Sequence, residues 1–285
     1  MLEAPGGARA AARADALEQL AHACRESGTF AITNHGLAGE VVAALLSVAE
    51  EFFALPMAEK MKVSRGHAAS ERGFRHQSLP NGRSHDSFLW IDDPEQPCGE
   101  PGGERGRNLW PQVPARFESV VRASAAPLAH LSRRVFRAIA LSADLREDAL
   151  DFMNEVRSIQ LHHYDAETEL PAHTDMAPLT IIFADAEGLQ AELPGGRWAP
   201  APSTGGVLSC MLGDVTMCLT NDRYKTAVHR VVRNARLRRS VLWEPACHPR
   251  APIGPFPSFC SSAEPARYET KPFAEIVQDW LQAKQ

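Results

Sequence analysis

Residues 158–196 read SIQLHHYDAETELPAHTDMAPLTIIFADAEGLQAELPGG, and this stretch decides the fold. Short apolar or alternating runs at 158–163, 179–184 and 188–192 are separated by turn-forming residues, and Pro194-Gly195-Gly196 closes the series. Runs of this length suit strands, because a helix needs roughly ten residues or more to show its period. The same rhythm continues at 206–212, 215–219, 226–232 and 240–244, with Thr204-Gly205-Gly206 as a further break. Many short strands at this spacing predict an all-β sandwich or barrel.

Upstream the pattern is helical. Leu17, Leu20, Ala21 and Cys24 recur at helical spacing over 8–25, and Glu26-Ser27-Gly28 stops the run. A short strand, Thr29-Phe30-Ala31-Ile32-Thr33, leads into the turn Asn34-His35-Gly36. A second helix is expected over 39–55, before Pro56. Residues 64–112, rich in Gly, Pro, Arg and Asp, read as irregular structure, a loop over a pocket. From 113 to 145 Phe117, Val120, Val121, Leu128, Leu131 and Val135 form an apolar stripe that Pro127 should kink or divide. A last amphipathic helix spans 273–281. No linker-like composition interrupts the chain. The expectation is a single unit, 1–285, with a helical and irregular part over 1–112 and a long helix plus β core over 113–285.

Composition limits the partners. The net charge is −5, with acids and bases interspersed, so there is no basic stripe to bind nucleic acid. No apolar run is long enough to span a membrane. The first twenty residues, MLEAPGGARAAARADALEQL, lack the apolar core of a signal peptide. The six cysteines form no C-x-x-C pair and read as free thiols, which places the protein in a reducing cytoplasm. The expected partner is a small-molecule substrate; the oligomeric state is left open.

The sharpest local feature is Pro171-Ala172-His173-Thr174-Asp175. Residues two apart on a strand share a face, so His173 and Asp175 could reach one ion. His229 follows in another strand-like run, Thr226-Ala227-Val228-His229-Arg230-Val231-Val232. Two imidazoles and a carboxylate make a facial triad for iron(II) and leave three coordination positions open. Three such ligands also suit catalytic zinc, and His163-Tyr164-Asp165 offers a competing H-x-D pair. Downstream, Arg238 and Ser240 share a strand face. The arginine's planar fork and the serine hydroxyl suit a carboxylate, although with Arg233, Arg236 and Arg239 nearby they also read as a basic surface strand.

Taken together, these segments are similar to the isopenicillin N synthase-like family of iron(II)/2-oxoglutarate dioxygenases. The N-terminal half matches through Gly28-Thr29-Phe30-Ala31-Ile32-Thr33-Asn34-His35-Gly36, Phe52-Phe53-Ala54-Leu55-Pro56, Lys60 and Asn108-Leu109-Trp110-Pro111. The β part matches through His173-Thr174-Asp175, Leu179-Thr180, Gly188-Leu189-Gln190, Trp198, Gly213-Asp214, Thr220-Asn221, Tyr224-Lys225, His229-Arg230-Val231-Val232, Arg238-x-Ser240 and Arg267-Tyr268-Glu269. The resemblance implies a mainly β fold with flanking helices, a distorted double-stranded β-helix or jelly roll. It implies that His173, Asp175 and His229 bind Fe(II), that Arg238 and Ser240 hold the distal carboxylate of 2-oxoglutarate, and that Tyr164 lies near the same ligand. O2 would be the oxidant, an unactivated C–H bond of a small molecule the target, and succinate and CO2 the co-products. An oxidase of the same fold that does not use 2-oxoglutarate, or a non-catalytic jelly-roll module, remains an alternative. The chain departs from the family at the degraded opening 1–13, at Met211 in place of an Asn, at His162 where Asn or Arg is common, and at Val241-Leu242-Trp243 in place of adjacent aromatics.

Overall fold

The computed structural model describes residues 5–65, 72–79, 81–92 and 108–283. Its centre is a seven-stranded antiparallel sheet in the order β1 (Thr29–Ile32), β9 (Leu208–Leu212), β6 (Leu179–Ala184), β11 (Arg238–Ala246), β4 (Val156–Tyr164), β3 (Ser84–Asp92) and β2 (Gly73–Ser78). A second sheet runs β5 (Leu170–His173), β10 (His229–Val231), β7 (Leu189–Leu193) and β8 (Arg197–Pro200). Inner residues of both sheets, among them Tyr164, Ile182, Leu189, Ala191, Met211 and Val231, pack into one cluster. This is the expected jelly roll, mainly β with flanking helices.

Alternation along the central strands separates two faces. On β11, Val241 and Trp243 point outward and are fully buried under helices, while Arg238 and Ser240 point inward. The outer face meets α2 (Gly39–Phe53) and α4 (Phe117–Ser142) through Leu45, Phe52, Val121, Leu128 and Phe136. α1 (Pro5–Glu26) packs on α4 in turn. α4 continues through Pro127 instead of dividing there. A proline inside a helix costs about 3 kcal/mol, whereas each fully buried Leu, Val or Phe contributes about 1.5–3 kcal/mol. The six buried apolar side chains Val121, Leu128, Leu131, Val135, Phe136 and Ile139 outweigh it.

Two expectations fail. Residues 64–112 are not wholly irregular: they supply β2 and β3, which extend the main sheet beyond β4. Residues 66–71, 80 and 93–107 of that stretch lie outside the described residues, and Cys98 with them. The run 215–219 is not a strand but part of a short helix, α5 (Asp214–Leu219), whose first turn closes on the Gly213 carbonyl. A five-residue apolar run has no period by which to tell the two apart. Three smaller helical and strand elements complete the chain: α3 (Met57–Met61), the ribbon of β12 (Pro252–Ile253) with β13 (Lys271–Pro272), and α6 (Phe273–Ala283). Among the described residues no helix is long and apolar enough to cross a membrane, and Cys24, Cys210, Cys218, Cys247 and Cys260 are free thiols.

Candidate metal centre

The pairing of β5 with β10 sets His173 directly opposite His229. Their ring centroids lie 4.3 Å apart. Asp175 stands two residues beyond the end of β5, in the loop and not on the strand as the H-x-D reading supposed. It still reaches both imidazoles. Asp175 Oδ1 is 3.9 Å from His173 Nε2, and Oδ2 is 3.7 Å from His229 Nε2. The three ligand atoms all lie within 4.8 Å of one another. Bonds of about 2.1 Å to one ion allow ligand atoms up to ~4.2 Å apart, so both carboxylate separations fit.

The donor set is prepared for a metal by its surroundings. His173 Nδ1 donates to the Pro171 carbonyl at 2.8 Å, and His229 Nδ1 to the Ala227 carbonyl at 3.0 Å. With the proton held on Nδ1, each Nε2 presents a lone pair toward Asp175, which is how metal-binding histidines are usually oriented. Thr180 Oγ1 donates to Asp175 Oδ2 at 2.6 Å. The loop carrying Asp175 is pinned by its carbonyl, which accepts from the Asp214 N–H at 2.9 Å. Gly213 makes this approach possible: a Cβ there would lie 1.9 Å from the Ala177 carbonyl oxygen and 2.5 Å from that of Asp175. Asp214 also accepts from Trp280 Nε1 at 3.2 Å, tying α6 to the loop. Burial is graded, from His229 at 4% side-chain exposure to His173 at 28%, so the cluster opens on the His173 side.

The competing pair is separated from this centre by the sheet itself. His163 lies on the outer face of β4, with its ring 5.2 Å from Phe53 of α2. Its neighbours His162 and Tyr164 point inward.

Arg238 is also on the inner face and is no surface residue: 1% of it is exposed. Its Nε donates to the Ala186 carbonyl at 3.2 Å, while Nη2 is buried without a partner. Burial lowers the Arg238 pKa from its ordinary value. Tyr164 faces it across the β4–β11 ladder, with the guanidinium carbon 5.4 Å from the ring centroid. Burial pushes the Tyr164 hydroxyl up to about 12, against the opposing effects of Arg238 and a hydrogen bond with Ser240. Tyr164 packs in one cluster with Val231 and Leu170, which lie on the strands that carry His229 and His173. The structure thus gathers His173, Asp175 and His229 beside the β5–β10 pair and sets Tyr164, Arg238 and Ser240 on the inner face of β4 and β11. Sequence reasoning gave no role to His85, which lies in the stretch read as irregular, or to Thr180 as the partner of Asp175.

Comparison with known proteins gives the chain a family. The profile of the 2OG-Fe(II) oxygenase superfamily matches residues 152–242, and that of the non-haem dioxygenase in morphine synthesis N-terminal region matches residues 3–113. A homoarginine-6-hydroxylase of Oryza sativa subsp. japonica is 30% identical, over 93% of this chain and 88% of its own. The chain belongs to the 2OG-Fe(II) oxygenase superfamily. A 2-oxoglutarate-Fe(II) type oxidoreductase of Emericella nidulans is 29% identical to this oxygenase, over 95% of this chain and 85% of its own. A full-length Neurospora crassa protein crystallised with alpha-KG shares the fold at a TM-score of 0.82 and 20% identity, covering 95% of this chain and 91% of that one. The protein is therefore a non-haem Fe(II)/2-oxoglutarate-dependent dioxygenase, and Fe(II), 2-oxoglutarate and O2 are its cofactor and co-substrates.

Proposed function

We propose that His173, Asp175 and His229 hold the iron of this dioxygenase, and that Arg238, Ser240 and Tyr164 hold 2-oxoglutarate beside it. The observation that carries this reading is the convergence of two differently prepared groups. Both histidines have Nδ1 committed to a backbone carbonyl, which turns Nε2 toward Asp175. Adjoining them is a buried arginine with one unpartnered terminal nitrogen. When bound, the iron supplies the O2-dependent oxidation of 2-oxoglutarate to succinate and CO2, coupled to oxidation of an unactivated C–H bond of a small molecule.

The rest falls to the chain. Arg238 presents Nη2 to the distal carboxylate while its Nε stays anchored on Ala186, so the fork is oriented before the ligand arrives. Ser240 adds a hydroxyl on the same strand face, and Tyr164 closes the wall opposite. Enclosure of Arg238 and Tyr164 excludes water and strengthens the charge-assisted contact. The more open side, at His173, is where a small-molecule substrate enters. Nucleic acid and membrane are not partners in this reading, and the free thiols suit the cytoplasm.

The test is metal binding and turnover together. Wild type should bind one iron(II) per chain and form succinate from 2-oxoglutarate. His173→Ala and His229→Ala should each lose iron and activity while keeping the far-ultraviolet dichroism of the fold. Full turnover by either variant would overturn the ligand assignment. Zinc should occupy the site without supporting oxidation, since it has no accessible redox change.

A further inference from the structure

Arg238, Ser240, Leu242 and Glu244 share the inner face of β11, and their burial changes along the strand. Arg238 and Ser240 are enclosed, at 1% and 2% exposure. Leu242 and Glu244 are only half-buried, and so is Gln160, the ladder partner of Leu242 on β4. β11 lies in the middle of the main sheet, between β6 and β4, and Val241 and Trp243 are fully buried on its outer face. Half-exposed side chains on such a strand are reached only from the inner side, so the space between the sheets opens at this end.

The metal cluster's carboxylate belongs to the same end. β6 runs antiparallel to β11, with Ser240 opposite Ala184 and Trp243 opposite Ile181. One step further the register brings Glu244 level with Thr180, at the ~4.8 Å spacing of neighbouring strands. Thr180 Oγ1 donates to Asp175 Oδ2. Glu244 therefore stands beside the residue that holds Asp175, and four residues along β11 from Ser240, roughly 13 Å. Its side chain is held in place. Gln160 Nε2 donates to Glu244 Oε2 at 2.6 Å, and Ser158 Oγ donates to the same oxygen at 3.2 Å. Both donors are neutral, so they orient the carboxylate without cancelling its charge. The nearby inner positions are apolar: Leu242 follows Ile182 and Gln160 in the ladder, and Leu89 of β3 lies beyond Gln160. A carboxylate set among apolar side chains disfavours neutral and anionic ligands and favours a cation.

We propose that Glu244 is a specificity residue for the oxidised substrate, and that this substrate is a small molecule with an alkyl stem and a positively charged amine or guanidinium group. The Glu244 carboxylate pairs with the cation, while Leu242 and Leu89 contact the stem. The inference rests on the site reading given above. Two ligands are then sorted by charge along one strand face: Arg238 takes the dianionic co-substrate, and Glu244 repels it and takes the cation.

Zinc-loaded protein carrying 2-oxoglutarate separates binding from turnover. Calorimetric titration compares n-hexylamine and n-pentylguanidinium with 1-hexanol and hexanoate. Wild type should bind at least one cation about tenfold or more tightly than 1-hexanol, the gain expected for a hydrogen bond between charged groups, and hexanoate least of all. The tighter of the two cations tells an amine substrate from a guanidinium. Glu244→Gln keeps an acceptor for Ser158 and Gln160 but removes the charge, and should bring cation and alcohol within about threefold of each other. Glu244→Lys should reverse the order and favour hexanoate. If wild type binds 2-oxoglutarate yet prefers neither cation to 1-hexanol, or if Glu244→Gln keeps the cation preference, the inference fails and the site reading stands. If wild type binds no 2-oxoglutarate, the site reading fails and the inference with it. Should Glu244→Lys not fold, Glu244→Gln decides alone.

Discussion

Replacing Arg238 tests how much of the co-substrate's affinity resides in one buried side chain. The guanidinium has one nitrogen, Nε, already committed to the Ala186 carbonyl at 3.2 Å, so the terminal nitrogens are what remain for the ligand. Nη2 is buried and unpartnered. A hydrogen bond between charged groups in such an enclosure is worth about 1.5–3 kcal/mol. Arg238→Ala removes that bond and the positive charge behind it, so about 2–3 kcal/mol of ligand affinity should go. At about 1.4 kcal/mol per factor of ten, the 2-oxoglutarate requirement should rise roughly 30- to 100-fold. Arg238→Lys keeps the charge but has a single nitrogen, which cannot serve Ala186 and the carboxylate in one plane; a rise of about tenfold is expected. Arg239 is the control. It points to the opposite face and pairs with Asp185 at 2.6 Å and Glu50 at 2.7 Å, so Arg239→Ala should lower stability and leave the 2-oxoglutarate requirement within about twofold. The assay is succinate formation against 2-oxoglutarate concentration, with product counted in parallel. An unchanged requirement in Arg238→Ala, with a normal ratio of succinate to product, would refute the assignment. Product formed with O2 alone would give Arg238 a substrate carboxylate instead.

Other consequences concern the scaffold. Gly213→Ala should lower both thermal stability and iron affinity, because its Cβ would meet the carbonyls of Ala177 and Asp175; Gly39→Ala, with nothing within 4 Å, should change neither, as thermal melts and metal titration will show. Lys60→Met should strand the buried Asp86 carboxylate, which Lys60 Nζ meets at 3.1 Å, and cost about 3 kcal/mol, the low end of the range for broken buried pairs because His76 still contacts Asp86. The melting temperature should then fall by about 5 °C, and no change would mean the pair is not a structural tie. Thiol titration of freshly denatured protein without reductant should find six free cysteines, and a count of four would reveal a bridge.

The parts of this fold that sequence made legible are those in which one strand face is apolar. Val241 and Trp243 on β11, or Ile181 and Phe183 on β6, keep the period of two because they pack under helices. The metal cluster was legible for a different reason: His173, Asp175 and His229 stand in strand-like runs whose spacing permits convergence. Even so, the sequence placed Asp175 on the strand, and only the loop pinned through Gly213 and Asp214 explains how it turns back. β3 was missed because His85, Asp86 and Ser87 are all buried, so the strand shows no apolar alternation. Asp86 can be buried outward because Lys60 pairs with it. His85 can be buried inward because His162 pairs with it. A buried polar face is costly to a fold unless its groups are satisfied or meet a ligand. Hydrophobic periodicity therefore fails on the strand where the inner face is most polar, and that failure is itself a marker of the site. The partnerless Nε2 of His162 stands on β4, with β3 on one side and Ser240 of β11 on the other.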